Sequence, residues 1–110
     1  MNEIIRAWEK EYNIPIGTIN IEYHELPATT SGISYFYPKG KTIIHINDCL
    51  TYGIGLDECL WHEFAHAWEW YNYGTHGHGE RWRTFYETKP FPWYARLCGL
   101  VVILINKIKK

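Results

Sequence analysis

The stretch LDECLWHEFAHAWEWYN, residues 56–72, holds the clearest periodicity in the chain. Leu60, Phe64, Ala67 and Tyr71 recur at three- and four-residue steps, the buried stripe of an amphipathic helix. The spacing predicts a long helix from Leu56 or Asp57 to Tyr71 or Asn72. On it lie His62, Glu63 and His66, in the pattern H-E-x-x-H. Residues four apart on a helix stand one turn apart on the same face, so both imidazoles can reach one metal ion. Glu63 sits at the edge of that face, where its carboxylate can reach a metal-bound water without being a ligand. With this chain's His and Glu content, chance supplies on the order of 0.03 copies of the motif.

Toward the N-terminus the pattern changes. Residues 18–24, 32–37 and 41–47 read as three strands. In the first, Ile19, Ile21 and Tyr23 alternate with polar residues; in the third, β-branched residues surround His45. Pro38-Lys39-Gly40 is a hairpin signal between the last two strands. With such short connections, an antiparallel meander is the simplest expectation. Before the strands, residues 2–12 predict a helix with Ile4, Ile5, Trp8 and Tyr12 on one face, ended by Asn13 and Pro15.

Beyond the long helix, Gly74, Gly77 and Gly79 break the chain. Residues 80–88 predict a short helix, and Pro90 and Pro92 interrupt it again. The apolar run from Leu97 to Ile105 reads either as a buried helix or as a buried strand. The order of helix, three strands, helices and apolar tail predicts an α+β architecture with a mainly antiparallel sheet, in one domain spanning residues 1–110.

Composition narrows the function classes. The chain has 110 residues, 46% hydrophobic and 21% charged, as in soluble globular proteins. Its formal net charge of −1 is no electrostatic footprint for tight nucleic-acid binding. Three cysteines, Cys49, Cys59 and Cys98, without a C-x-x-C pair, argue against a zinc ribbon and a disulfide framework. They suit a reduced, cytoplasmic location. No secretory signal is visible, and the longest apolar stretch is too short to cross a bilayer.

A catalytic zinc takes three protein ligands and leaves one position open. Beyond His62 and His66, the third ligand has four candidates: His76, His78, Glu80 and Glu87. Two blocks, His62-Glu63-Phe64-Ala65-His66-Ala67-Trp68 and His78-Gly79-Glu80-Arg81-Trp82, resemble the SprT-like (Spartan-type) zinc metallopeptidases. That family carries H-E-x-x-H on a helix, then H-G-x-x-[F/W] opening the next one. The resemblance implies a zincin-like fold, one catalytic Zn²⁺, His78 as third ligand, Glu63 as general base and Trp82 in the core. Gluzincin-type peptidases, the neighbouring alternative, would use Glu80. The implied activity is endopeptidase hydrolysis of a polypeptide through a metal-bound water activated by Glu63. DNA enters as a partner only by family analogy. The alternative is a catalytically silent metal-binding or scaffold protein of the same fold.

Around that site Tyr52, Tyr71, Tyr73, Arg81 and His45 have the chemistry to stabilise an oxyanion. Glu69 and Asp57, each expected as a surface charge, are candidates to orient ligand rings. Cys59 lies near the ligand face. The third strand is expected at the cleft edge, where an extended substrate could pair. The apolar tail is expected to complete the core; its sharper readings are a self-association surface, a cover over the cleft that keeps the enzyme latent, or peripheral membrane contact.

Overall fold

The computed structural model describes residues 2–109. In chain order the elements are α1 (Asn2–Glu11), β1 (Ile19–His24), β2 (Gly32–Phe36), a 3₁₀ turn at Pro38–Gly40, β3 (Thr42–Asn47), α2 (Ile54–Tyr73), α3 (Glu80–Tyr86) and α4 (Ala95–Lys109). The architecture is α+β, as the element order predicts.

The sheet departs from a meander. Its order is β1-β3-β2: β3 runs antiparallel to β2 but parallel to β1. The reason lies in β3 itself. Its three isoleucines alternate with or adjoin polar residues, and it is the most deeply buried of the three strands, with Thr42, Ile44, Ile46 and Asn47 fully buried. Such a strand is best placed at the centre, paired on both sides. The more exposed β1 and β2 flank it. The chain must therefore cross from one edge of the sheet to the other between β1 and β2. Asn47 holds that crossing: its side-chain amide donates to the carbonyls of Leu26, Pro27 and Thr30 at 3.1, 3.1 and 3.0 Å.

Helix α1 is tied to β1 by a buried carboxylate. Glu9 accepts the backbone N–H of Ile19 at 2.9 Å and of Gly17 at 3.2 Å, and pairs with Arg6 at 2.6 Å. A buried charge is tolerated only with such partners. The core is largely aromatic. Trp61 is fully buried against Trp8 and Phe85, each with ring centroids 5.1 Å away, and its indole N–H donates to the Tyr86 carbonyl at 2.8 Å. Trp68 stacks on Phe85 at 4.1 Å.

Helix α2 begins at Ile54, earlier than its periodicity suggests, and takes in Gly55. That glycine has a tertiary purpose. Helix α4 crosses there, and a Cβ on Gly55 would lie 2.2 Å from the Cα of Gly99. The apolar tail is a helix, but it completes the core along one narrow stripe only. Ala95, Gly99 and Ile103, four residues apart, are its buried positions. Leu97, Val101, Leu104 and Ile108 remain exposed. Among the described residues, no helix is long and apolar enough to cross a membrane.

Candidate metal centre

The middle of α2 carries His62, Glu63 and His66, and the glycine-rich turn after it brings His78 back over them. Gly74 ends α2 in the left-handed conformation (φ 68°), its N–H bonded to the Trp70 carbonyl. Gly77, at φ 141°, lets the next residue reverse direction. The Nε2 atom of His78 then stands 3.1 Å from that of His66 and 3.2 Å from that of His62. The ligand atoms of all three lie within 4.8 Å of one another. Nitrogens bound at about 2.0–2.1 Å to a tetrahedral zinc are separated by about 3.3 Å. One Nε2, with one proton or one lone pair, serves two ring nitrogens poorly, whereas a shared cation satisfies all three. The donor set therefore fits a metal ion.

Electrostatics agree with the geometry. Burial pushes the His62 pKa down to about 4, with His78 and Arg96 adding to the fall. Burial, then His62, His78 and His76, lowers His66 to about 3. Both rings are held as neutral imidazoles, the form that ligates. The ring of His66 is fixed by Trp82, which stacks on it at 5.0 Å and is itself buried, as the family resemblance implied.

Burial raises the Glu63 pKa to about 7, opposed by a hydrogen bond from Ser34. The Ser34 hydroxyl donates to Glu63 Oε1 at 2.9 Å. Ser34 belongs to β2, and nothing in the local sequence pointed to it. Gly32, also on β2, allows this approach: a Cβ there would meet the Cys59 sulfur at 2.9 Å. Cys59 is thus a buried spacer beneath the strand.

The remaining candidates separate clearly. Glu80 lies outside the histidine group and lines a different groove with Trp68 and Phe85. His76 stacks on Phe36 at 4.6 Å and borders the cleft. Tyr52 is exposed, Tyr71 packs over Gly40, and Arg81 sits 3.8 Å over the Tyr73 ring. His45 is on the sheet with Glu22 and His24. None of these oxyanion candidates lines the cleft.

Asp57 is exposed, but Glu69 is buried, contrary to its expected surface role. It accepts the Thr75 hydroxyl at 3.0 Å and so braces the turn that carries His78. Its other oxygen and the Nδ1 of His66, three residues earlier, are both buried without a partner. Glu58, one turn before His62, was missed by the sequence reading although its i,i+4 spacing could have revealed it. Its carboxylate faces His62 Nδ1 at 4.0 Å.

The cleft has a volume of about 380 Å³ and runs along Gly32, Ile33, Ser34 and Phe36 of β2. The edge of the sheet facing the site is therefore β2, whereas the expected β3 is the central strand with both edges paired. A recess of about 140 Å³ adjoins it beside Glu58 and Cys59. Arg96 borders both spaces and is the single residue of α4 that does so.

The model of the SprT-like family matches residues 1–89. The chain belongs to the SprT-like family. That family suggests a zinc-metallopeptidase-like domain, and the match takes in every element from α1 to α3 and leaves α4 outside. No curated protein and no solved structure matches the chain.

Proposed function

We propose that this chain is a zinc-dependent endopeptidase, with His62, His66 and His78 as metal ligands and Glu63 as general base. The observation that carries this reading is the convergence of three imidazole nitrogens beside a carboxylate whose pKa burial raises to about 7. A zinc ion held there supplies Lewis acidity to the scissile carbonyl. Glu63 takes a proton from the attacking water and delivers it to the departing amine. A base with a pKa near the working pH does both efficiently. Ser34 holds the Glu63 carboxylate in place during the exchange.

The free edge of β2 suits an extended polypeptide, whose backbone would add to the sheet as a further strand. Arg96 gives the cleft a positive charge able to steady negative charge on the carbonyl oxygen. Because α4 contributes no other residue to the cleft, latency through a covering tail has no support in the geometry. Three free cysteines favour a reducing compartment such as the cytoplasm.

The test is cleavage of casein by zinc-loaded protein and by Glu63→Ala. The wild type should cleave and the variant should lose that activity while still binding zinc. Equal cleavage by both, or none by either, would leave the catalytically silent scaffold as the better description.

A further inference from the structure

A second group of ligating side chains shares no residue with the first. We propose that Glu22, His24 and His45 form an additional site for a first-row divalent cation, on the outer face of the sheet. Side chains two apart on a strand point to the same face, so Glu22 and His24 of β1 lie together. The parallel register sets Glu22 opposite His45 of β3. The alternate residues Ile21, Ile44 and Ile46 enter the core, which leaves this trio on the opposite face.

The contacts are close. Glu22 Oε1 lies 2.9 Å from His24 Nε2 and 3.8 Å from His45 Nε2. All three ligand atoms fall within 4.8 Å of one another. The two imidazoles stack at 3.9 Å, and Tyr35 of β2 leans on the His45 ring at 4.6 Å. His45 is therefore held from two sides. Glu22 is exposed and can take its place as the third donor with little rearrangement. Two imidazoles and one carboxylate suit zinc or copper(II) rather than calcium or magnesium.

Such an ion would join the edge strand β1 to the central strand β3. The chain between these paired strands runs through the crossing, β2 and the 3₁₀ turn, so the ion would clip together two segments distant in sequence. Binding to the folded chain alone raises its stability by mass action. The site is independent of the proteolytic reading, because no residue of it borders the cleft.

The test is native mass spectrometry and equilibrium dialysis of the full chain with Zn²⁺. Wild type should take up two ions and His66→Ala one. His24→Ala and Glu22→Gln, both changes at accessible side chains, should also take up one. With Cu²⁺ added to His66→Ala, the electron paramagnetic resonance spectrum should show coupling to two nitrogens, reduced when His24→Ala is introduced as well. A His66→Ala protein that holds no ion, or a His24→Ala protein that holds as many ions as the wild type, would reduce the trio to a surface His–Glu pair and overturn the proposal.

Discussion

Two histidine clusters occupy this small chain, and they are built in opposite ways. The first rests on a helix: His62 and His66 are placed by one turn of α2, and a glycine-rich turn adds His78. The second rests on a sheet: Glu22 and His24 share one strand, and His45 comes from its neighbour. In the first, His66 is buried, burial drives His62 and His66 to the neutral form, and the Glu63 carboxylate stands alongside. The second lies on a more accessible face, and its carboxylate, Glu22, is itself one of the three donors. Local spacing alone suffices for most of the first cluster, whereas the second exists only because β1 and β3 are adjacent.

The largest effect that separates the two concerns the base. Replacing Glu63 by Gln should lower turnover by about 10²–10⁴-fold, the usual contribution of a general base. Zinc stoichiometry measured on the same sample should not change. A variant that keeps more than a tenth of the wild-type rate would remove the main chemical difference between the clusters.

Acid provides the next contrast. In metal-stripped protein, the folded pKa values of His62 and His66 lie near 4 and 3, below the unfolded value of about 6.5. Folding thus favours the unprotonated rings. Their contribution to stability is complete above pH 6.5 and is lost as pH falls toward 4 and then 3. Glu63 acts with the opposite sign: its raised pKa costs stability as pH rises from about 4.5 to 7. Two histidines outweigh one carboxylate until their unfolded pKa is passed, so chemical denaturation of the stripped chain should show greatest stability near pH 7. Removing His66 should flatten the acid side.

A smaller effect tests how deeply the first cluster is supported. Glu69→Gln should weaken zinc affinity by about 10–100-fold, as outer partners of ligand histidines typically do. Competition with a chromophoric chelator would measure it. An unchanged affinity would mean that the unpartnered Nδ1 of His66 needs no carboxylate near it.

The smallest concerns Ser34. Its hydrogen bond lowers the Glu63 pKa, so Ser34→Ala should raise it and move the acid limb of kcat/KM to higher pH. The lost bond is worth about 0.5–1.5 kcal/mol. Arg96→Met should move the limb the same way by less, because Arg96 stands below Ser34 among the influences on Glu63. A limb unmoved by both changes would indicate that some other group sets the pH dependence.

The contrast between the clusters also shows what was legible in the amino-acid sequence. His78 was singled out by the resemblance to the SprT-like family, whereas helix α2 and the face carrying His62, Glu63 and His66 follow from local periodicity and motif spacing. So do the three strands as segments. Their order does not, because short connections favour a meander while β3, the most deeply buried strand, stands at the centre. With β3 misplaced, Glu22 and His24 have no reason to meet His45, and the cleft is assigned to the wrong strand. Ser34 was hidden for the same reason, since it reaches Glu63 across the fold. Glu69 read as a surface charge because its one firm partner, Thr75, lies in a turn whose path is set by glycines. The burial of α4 along a single stripe could not be read from a continuous apolar run, which contains every helical face at once.

One consequence of the α2–α4 crossing reaches the mouth of the cleft. Gly55 and Gly99 meet backbone to backbone, and Arg96 stands one turn before Gly99, next to Glu63 and His62. The crossing acts as a fulcrum with no cushion: a methyl group on either side would force the two axes apart, and the guanidinium would travel with its helix. The bare α-carbons of two glycines therefore govern how closely a positive charge attends Glu63 and His62.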